Sequence, residues 1–208
     1  TSSPTPVITK PNAAIHNEMK KILGTSDADT YDVKIRVKKF ENGTTYWWTG
    51  NLPWDTNNYD AYPSVGWRPY SGTPAAWEYT CAEFDNSSAF TTGTTYYVTV
   101  RAFDSATNWR DSDSKQFRFD NTPPTSSIAA PPAQSGRYKT LPTISGYCSD
   151  APAGVQTLYF TLTDGITAGT SWYKDTTQEW LTAVSTGTAA LSGGASYWSE
   201  SPISGYLT

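Results

Sequence analysis

Two stretches of the chain open in the same way. Pro-Thr-Pro-Val-Ile-Thr-Lys-Pro occupies residues 4–11, and Pro-Thr-Ser-Ser-Ile-Ala-Ala-Pro returns 120 positions later at residues 124–131. In each copy an isoleucine then stands two positions before a glycine, Gly24 or Gly146, and a valine follows nine positions after that glycine. Solenoid repeats have periods of about 20–50 residues. A period this much longer predicts two tandem domains of one fold.

Tryptophans recur in the same order in the two copies. Large aromatic side chains dominate the cores of small sandwich domains, so we interpret matched tryptophans as a shared core. Stacking against sugar rings is the alternative that nine tryptophans leave open. The matched residues are Trp47, Trp54 and Trp77 in the first copy and Trp172, Trp180 and Trp198 in the second.

The second copy stops earlier than the first. After Trp77 the chain continues through residues 94–104 and 117–120, in which apolar residues alternate as they do in strands. No such segment follows Trp198. We expect either an excerpt from a longer array or a second domain whose last strands come from another chain. We favour the excerpt, because the first residues resemble the tail of a preceding linker.

Composition favours β-structure. Charged residues make up 16% of the 208 residues and aromatic residues 14%, with abundant Thr, Ser, Gly and Pro. Residues 32–38 alternate apolar and charged side chains, and Glu41-Asn42-Gly43 supplies a turn. Short strands between closely spaced turns predict an all-β fold of two antiparallel sandwiches. The one helical candidate, residues 13–21, is short.

The domain boundary is predicted near Asn121. Repeat 1 then spans 1–121, with a linker at 1–6, and repeat 2 spans 122–208 without its last strands. Pro123 and Pro124 fix two φ angles and remove two donors, which predicts a short, stiff link.

Charge and motifs argue against several classes of function. A net charge of −4 offers no positive field for a nucleic-acid backbone. No stretch approaches the roughly 18 apolar residues of a membrane span. One histidine, His16, and the lack of a hydrolase elbow or phosphate-binding loop predict a chain that is not an enzyme. Cys81 and Cys148 fall at unmatched places, which predicts two free, buried thiols.

Residues 97–108, Tyr-Val-Thr-Val-Arg-Ala-Phe-Asp-Ser-Ala-Thr-Asn, resemble the penultimate strand and turn of bacterial immunoglobulin-like and fibronectin type III-like repeats. Thr107 stands where that family usually has glycine. Residues 120–124, Asp-Asn-Thr-Pro-Pro, are similar to the linkers that join such repeats. The resemblance covers the first repeat and the front of the second. It implies two tandem Ig-like or fibronectin type III-like antiparallel β-sandwiches.

The same resemblance implies a setting. Such repeats belong to long extracellular or cell-surface proteins, so the expected function is a non-catalytic structural or adhesive segment of a stalk, adhesin or filament. Its partners would be neighbouring repeats or like subunits. The alternative is a carbohydrate-binding or spacer module of a secreted polysaccharide-active enzyme, with glycans as partners.

The loop between Trp54 and Trp77 differs from its counterpart in the second repeat. A loop that differs on a repeated scaffold is a place where function tends to lie. We hypothesise a contact surface for a sugar or a neighbouring subunit, and packing over the domain's own edge is the equal alternative. Its residues are Tyr59, Tyr62, Trp67 and Tyr70.

Oxygen-bearing side chains recur in the turns of the first repeat. Calcium takes six to eight oxygen ligands, and we expect several of these side chains to meet at one end of the sandwich. Solvated turn aspartates are the alternative interpretation, and no other cofactor is expected. The candidate ligands are Asp27, Asp29, Asp104, Asn108 and Asp120.

Two asparagines fit the glycosylation acceptor pattern. Asn42 leads Asn-Gly-Thr and Asn86 leads Asn-Ser-Ser, both in predicted turns. Asn42 is the stronger candidate, because its turn should project from the sheet.

Overall fold

The computed structural model describes residues 2–57, 66–132, 143–162, 172–174, 179–181, 187–188, 190–192 and 197–200. The chain divides into two compact units, Thr1–Thr122 and Pro123–Thr208, one residue after the boundary placed at Asn121. Across these ranges nearly all regular structure is β-strand, with one four-residue helix. The prediction of an all-β fold is confirmed.

Unit 1 contains eleven strands and the helix within its described residues. They are β1 (Val7–Lys10), β2 (Ile15–His16), β3 (Lys21–Thr25), β4 (Asp32–Glu41), β5 (Thr44–Trp47), β6 (Arg68–Pro69), β7 (Ser71–Thr73), β8 (Ala76–Thr80), α1 (Ala82–Asp85), β9 (Thr95–Phe103), β10 (Trp109–Asp111) and β11 (Lys115–Phe119).

The strands of unit 1 form two sheets. One has the order β1-β3-β8-β7, and the other has the order β2-β11-β9-β4-β5, with β10 paired to β9 and β6 paired to β4. Neighbouring strands are antiparallel except β2 and β11, which are parallel. Buried apolar side chains of both sheets belong to one core, so the sheets pack face to face as a sandwich.

Alternation along β4 and β9 builds the centre of this core. Val33, Ile35 and Val37 of β4 are at most 1% exposed. Val98 and Val100 of β9 lie directly opposite Val37 and Ile35. Because successive strand side chains point to opposite faces, the charged residues between these valines and isoleucines face outward. The half-buried strand predicted at residues 32–38 is confirmed.

The segment from 13 to 21 is not a helix. It contains β2, a loop and the first residue of β3, and the only helix among the described residues is α1. The amides of Arg118 and Asp120 donate to the carbonyls of Ala14 and His16 at 2.8 and 2.9 Å. Pairing with a sheet edge thus overrides the local helical preference of this segment.

Unit 2 contains eight described strands. They are β12 (Thr125–Ala130), β13 (Ile144–Ser149), β14 (Tyr159–Phe160), β15 (Trp172–Lys174), β16 (Glu179–Leu181), β17 (Gly187–Thr188), β18 (Ala190–Ser192) and β19 (Tyr197–Glu200). One sheet has the order β12-β13-β19-β18, and β14 pairs with β17 and β15 with β16.

The first strands of the two units have the same register. In unit 1 Ile8 pairs with Gly24, which pairs with Trp77 on its other side. In unit 2 Ile128 pairs with Gly146, which pairs with Trp198. The register of both pairs shifts directly after the isoleucine. The repeated opening segment is therefore a repeated three-strand arrangement.

The other matched tryptophans also have corresponding backbone partners. Trp47 bridges to Asp55, the residue after Trp54. Trp172 pairs with Leu181, the residue after Trp180. The tryptophan order read from the sequence thus corresponds to a shared strand pairing.

The matched valines do not correspond. β6 precedes β7 in unit 1 as β17 precedes β18 in unit 2, so β6 and β17 are equivalent strands. Ile35 pairs with Arg68 of β6, and Phe160 pairs with Gly187 of β17. This register makes Leu158, rather than Val155, the counterpart of Val33. Three extra residues after Gly146 cause the offset, and the equal glycine-to-valine spacing was coincidental.

A tryptophan indole covers the glycine backbone in both units. A Cβ atom built on Gly24 would lie 1.9 Å from Cζ2 of Trp77 and 2.3 Å from the carbonyl oxygen of Val7. A Cβ on Gly146 would lie 1.8 Å from the carbonyl oxygen of Ser127 and 2.7 Å from Cζ2 of Trp198. Only glycine fits beneath these side chains.

We predict that Gly24→Ala lowers the free energy of unfolding of unit 1 by about 3 kcal/mol, because the added methyl group forces the indole or the neighbouring backbone to move. Gly43→Ala is the control, since nothing lies within 4 Å of that position and only its positive φ of 79° opposes a side chain. That control should cost about 1 kcal/mol. Urea unfolding with hydrogen exchange of β3 and β8 peptides measures both, and equal losses would contradict the steric argument.

Candidate functional site

The outward face of the larger sheet of unit 1 alternates indole and guanidinium groups. The Cζ atom of Arg36 lies 5.3 Å from the ring centroid of Trp47 and 4.2 Å from that of Trp67. The Cζ atom of Arg101 lies 4.6 Å from the ring of Trp67 and 3.7 Å from that of Trp109. We name these five side chains the Trp-Arg ladder.

Strand pairing brings the ladder residues together. Arg36 lies on β4 opposite Thr99 of β9, so Arg36 and Arg101 are diagonal neighbours on one face of the sheet. Trp47 lies on β5, the hairpin partner of β4. Trp109 lies on β10, opposite Phe103 of β9. The hairpin turn has φ angles of 51° at Asn42 and 79° at Gly43, which suits the type I′ turn expected of Asn-Gly.

A carboxylate fixes one guanidinium of the ladder. Nε and Nη2 of Arg101 donate to Oδ1 and Oδ2 of Asp111 at 2.6 and 2.8 Å. Two parallel bonds hold the guanidinium plane in one orientation, and Arg101 is 9% exposed. The charge is therefore paired while its flat face contacts the indoles.

The ring of Trp67 contacts two cationic side chains. Two guanidinium groups lie against its ring, so the ring is not an open platform for a sugar. Directly after it, Arg68 donates from Nη1 to the carbonyl of Thr49, and β6 pairs with β4. The geometry of Trp67 favours packing over the domain's own sheet.

The other predicted contact residues have different surroundings. Tyr70 is partly buried against the core of unit 1. Tyr59 and Tyr62 lie outside the described residues. Trp67 and Tyr70 thus have different neighbours, and the common contact surface stays a prediction.

The sequence did not identify Arg36, Arg101 or Trp109 as ladder members. These residues are far apart in sequence, and they meet only through the β4–β9 and β9–β10 registers. The alternation in residues 32–38 placed Arg36 on the outer face, but the register needed to place Arg101 beside it comes from three-dimensional pairing.

The calcium candidates do not all lie at one end of unit 1. The amide of Tyr31 donates to the carbonyl of Phe103, which brings the loop with Asp27 and Asp29 to the turn with Asp104 and Asn108. Asp120 follows β11, whose Arg118 pairs with Thr95 at the other end of β9. The expectation that several candidates share an end holds for four of the five.

Three of the carboxylates accept hydrogen bonds from nearby amides. Asp104 accepts from the backbone amide and Nδ2 of Asn108, each at 2.8 Å. Asp27 accepts from the amide of Thr5 at 2.7 Å, and Asp120 accepts from the amide of Thr122 at 3.0 Å. The bonds of Asp104 and Asp120 cap local turns, whereas that of Asp27 joins two segments distant in sequence.

No group of three or more His, Cys, Asp or Glu side chains within the described ranges is arranged to hold a metal. Calcium binding stays a prediction.

Thr107 has a φ of 67°, so the turn adopts at this threonine the left-handed conformation that glycine favours.

Both glycosylation candidates are exposed. Asn42 lies in the two-residue turn between β4 and β5. Asn86 caps the end of α1, and its Oδ1 accepts from the amide of Ser88 at 2.9 Å. Modification of either side chain stays a prediction.

Neither Cys81 nor Cys148 forms a disulfide bond, as predicted. Cys148 is 3% exposed, but Cys81 is only partly buried, so the expectation of two buried thiols holds for Cys148 alone. Burial raises the pKa of the Cys81 thiol and keeps it protonated near neutral pH.

His16 lies on β2 and pairs with Phe119 of β11. Its Nε2 accepts from the amide of Ala13 at 3.3 Å, and its ring meets the edge of Phe117 at 5.7 Å. Burial lowers the pKa of His16 below 6.5, and the charge of Lys10 lowers it further. The neutral imidazole therefore suits this edge of the sheet.

No known family model matches the chain, and comparison with curated proteins gives no significant match. The resemblance to Ig-like and fibronectin type III-like repeats therefore rests on the motifs described above. Within the described ranges, no helix is long and apolar enough to cross a membrane.

We predict that Trp67→Ala lowers the free energy of unfolding of unit 1 by about 1–4 kcal/mol, because it removes contacts with two cations of about 0.5–2 kcal/mol each. Trp109→Ala is the matched control. Trp109 is 51% exposed and touches one ladder cation, so its loss should cost less than about 1 kcal/mol. Urea unfolding by circular dichroism measures both variants. A larger loss for Trp109→Ala would refute a central role for Trp67.

We predict that His16 makes unit 1 less stable in mild acid. Its folded pKa is lowered, so the unfolded chain binds more protons between that pKa and 6.5, and stability falls as pH drops through this window. Above about pH 6.5 the contribution is fully present. His16→Asn removes the titration, so its melting temperature should fall less than that of the parent between pH 7.5 and 5. Equal falls would show that His16 does not contribute.

Proposed function

We propose that this chain is a non-catalytic segment of an extracellular or cell-surface structural or adhesive protein, such as a stalk, adhesin or filament. The observation that carries this proposal is the parallel pairing of β2 with β11 in unit 1. These strands lie near the two ends of the unit. The amides of Arg118 and Asp120 join them to the carbonyls of Ala14 and His16.

Parallel end strands suit a load-bearing role. When the two ends of unit 1 are pulled apart, strands that run in the same direction slide past each other, and all hydrogen bonds between them are loaded together. A hairpin pulled at its open end would break them one at a time. Unit 1 therefore has the geometry of a domain that resists extension.

The strand order of unit 1 supports the Ig-like interpretation. An Ig constant-type sandwich has strands A, B, E and D in one sheet and C, F and G in the other. The orders β1-β3-β8-β7 and β11-β9-β4 correspond to A-B-E-D and G-F-C. We therefore keep the proposal of tandem Ig-like or fibronectin type III-like domains.

We propose another repeat of this type as the partner of unit 2. Ile8 is 5% exposed in unit 1, whereas its counterpart Ile128 is 68% exposed. Ile128, Leu158, Phe160 and Trp198 contribute the large apolar side chains of a groove whose lining also includes Ser126, Ser127 and Thr161. In unit 1 the corresponding side chains belong to one core cluster with apolar side chains of β9 and β11, so we propose that a strand with the alternating apolar residues of β9 occupies the groove.

We predict that unit 1 resists stretching when the whole chain is pulled from its two ends by single-molecule force spectroscopy. Its unfolding should release a contour length of about 350 Å, the reach of the residues between Ile15 and Phe119 at about 3.3–3.6 Å each. Arg118→Pro removes the amide that donates to Ala14, so it should lower the unfolding force.

Arg118→Ala is the matched control, because it removes the same side chain and keeps the amide. Its unfolding force should stay near that of the parent chain. If Arg118→Pro and Arg118→Ala unfold at the same force, or if unit 1 unfolds without measurable resistance, the load-bearing proposal fails.

A further inference from the structure

Two tyrosines form an exposed pair on the outer face of unit 2. Tyr147 of β13 and Tyr197 of β19 lie directly opposite each other, with ring centroids 5.7 Å apart and ring planes at 67°. Tyr147 is 57% exposed and Tyr197 is 38% exposed. Core residues such as Ile144 and Trp198 point to the other face of the sheet, so the tyrosines are not part of the core.

The corresponding face of unit 1 lacks this pair. The shared Gly24–Trp77 and Gly146–Trp198 registers make Thr25 and Ala76 the counterparts of Tyr147 and Tyr197. Since unit 1 forms the same three-strand arrangement without these rings, the arrangement does not require them. A feature that the scaffold can omit, and that exposes large aromatic rings, is a candidate for binding.

The chemistry of the face also differs between the units. Next to Thr25, Leu23 and Glu78 lie opposite each other, and Glu78 accepts from Lys21 at 3.3 Å. In unit 2, Ser145 and Ser199 occupy the positions equivalent to Leu23 and Glu78. The pair in unit 2 is thus surrounded by uncharged hydroxyl side chains, where unit 1 has an ion pair.

A recess lies beside Tyr147. It has a volume of about 260 Å³, and its lining includes Thr125, Ser127 and Ser149. Pockets for drug-sized ligands have volumes of about 300–1,000 Å³, so this smaller recess suits a single ring-sized group. The hydroxyls of Thr125 and Ser127 donate to the carbonyls of Ser149 and Tyr147, which leaves their oxygens able to accept hydrogen bonds from a ligand.

We propose that the face around Tyr147 and Tyr197 binds an uncharged polysaccharide. The apolar side of a sugar ring can stack on an exposed aromatic ring, and its hydroxyls can bond to the serine and threonine side chains. Among the described residues, the neighbours of the two tyrosines on this face carry no cation that would attract a phosphate backbone or an acidic glycan. The charge of the face therefore matches a neutral chain of sugars. This site is independent of the load-bearing role of unit 1.

The test is affinity electrophoresis of the full chain in gels that contain soluble neutral polysaccharides, namely β-glucans, xylans and mannans, with acidic alginate and pectin as the comparison. We expect retardation by at least one neutral polysaccharide, little change with added salt, and at least a tenfold weakening of binding in Tyr147→Ala and in Tyr197→Ala. Circular dichroism checks that both variants fold.

Two exposed tyrosines serve as matched controls. Tyr159→Ala removes a 66% exposed tyrosine from unit 2, and Tyr31→Ala removes a 71% exposed one from unit 1. Both should bind like the parent chain. No retardation by any neutral polysaccharide overturns the proposal, and so does binding that all four variants retain or lose equally. Self-association of the chain that Tyr147→Ala abolishes, without polysaccharide binding, would instead identify a protein interface.

Discussion

The packing of a tryptophan against a bare glycine backbone is the contact on which both units depend. Burying an indole removes about 200 Å² from water, worth about 5 kcal/mol. The Nε1 atoms of Trp77 and Trp198 are both buried without a hydrogen-bond partner, which costs about 1–3 kcal/mol each. Apolar burial therefore exceeds the polar cost. The contact sets the register of the three strands, and that register decides which residues face inward.

Once the register is set, the two faces of β4 have different surroundings. Val33, Ile35 and Val37 complete the core, while the cations that alternate with them face outward, where Arg36 and Lys38 contact tryptophan rings. The contacts of Arg36 and Arg101 with tryptophan rings show that an outer sheet face can be ordered without being apolar. The ladder depends on the core, because a shift of one residue along β4 would exchange the two faces.

Sequence alone predicted the elements that depend on local pattern. The alternation in residues 32–38 and the Asn42-Gly43 turn predicted their strands correctly, and the core position predicted for the recurring tryptophans is found for Trp77 and Trp198. The failures concern pairing between distant residues. Residues 13–21 contain the strand β2 rather than a helix because β11 supplies its hydrogen bonds, and Leu158 replaces Val155 because the segment after Gly146 is three residues longer. The position of Trp67 between two guanidiniums required the β4–β9 register.

The comparison of the repeats separates structural residues from candidate functional ones. The glycine, the tryptophan over it and the isoleucine beside it occur in both units at one register, so the fold itself accounts for them. Outside the core the units diverge: unit 1 has an ion pair between Lys21 and Glu78, whereas unit 2 has serines and a tyrosine pair at the equivalent strands. Because the shared scaffold tolerates either surface, the fold does not explain why unit 2 exposes the tyrosine pair. Binding of the proposed polysaccharide to that face would explain it.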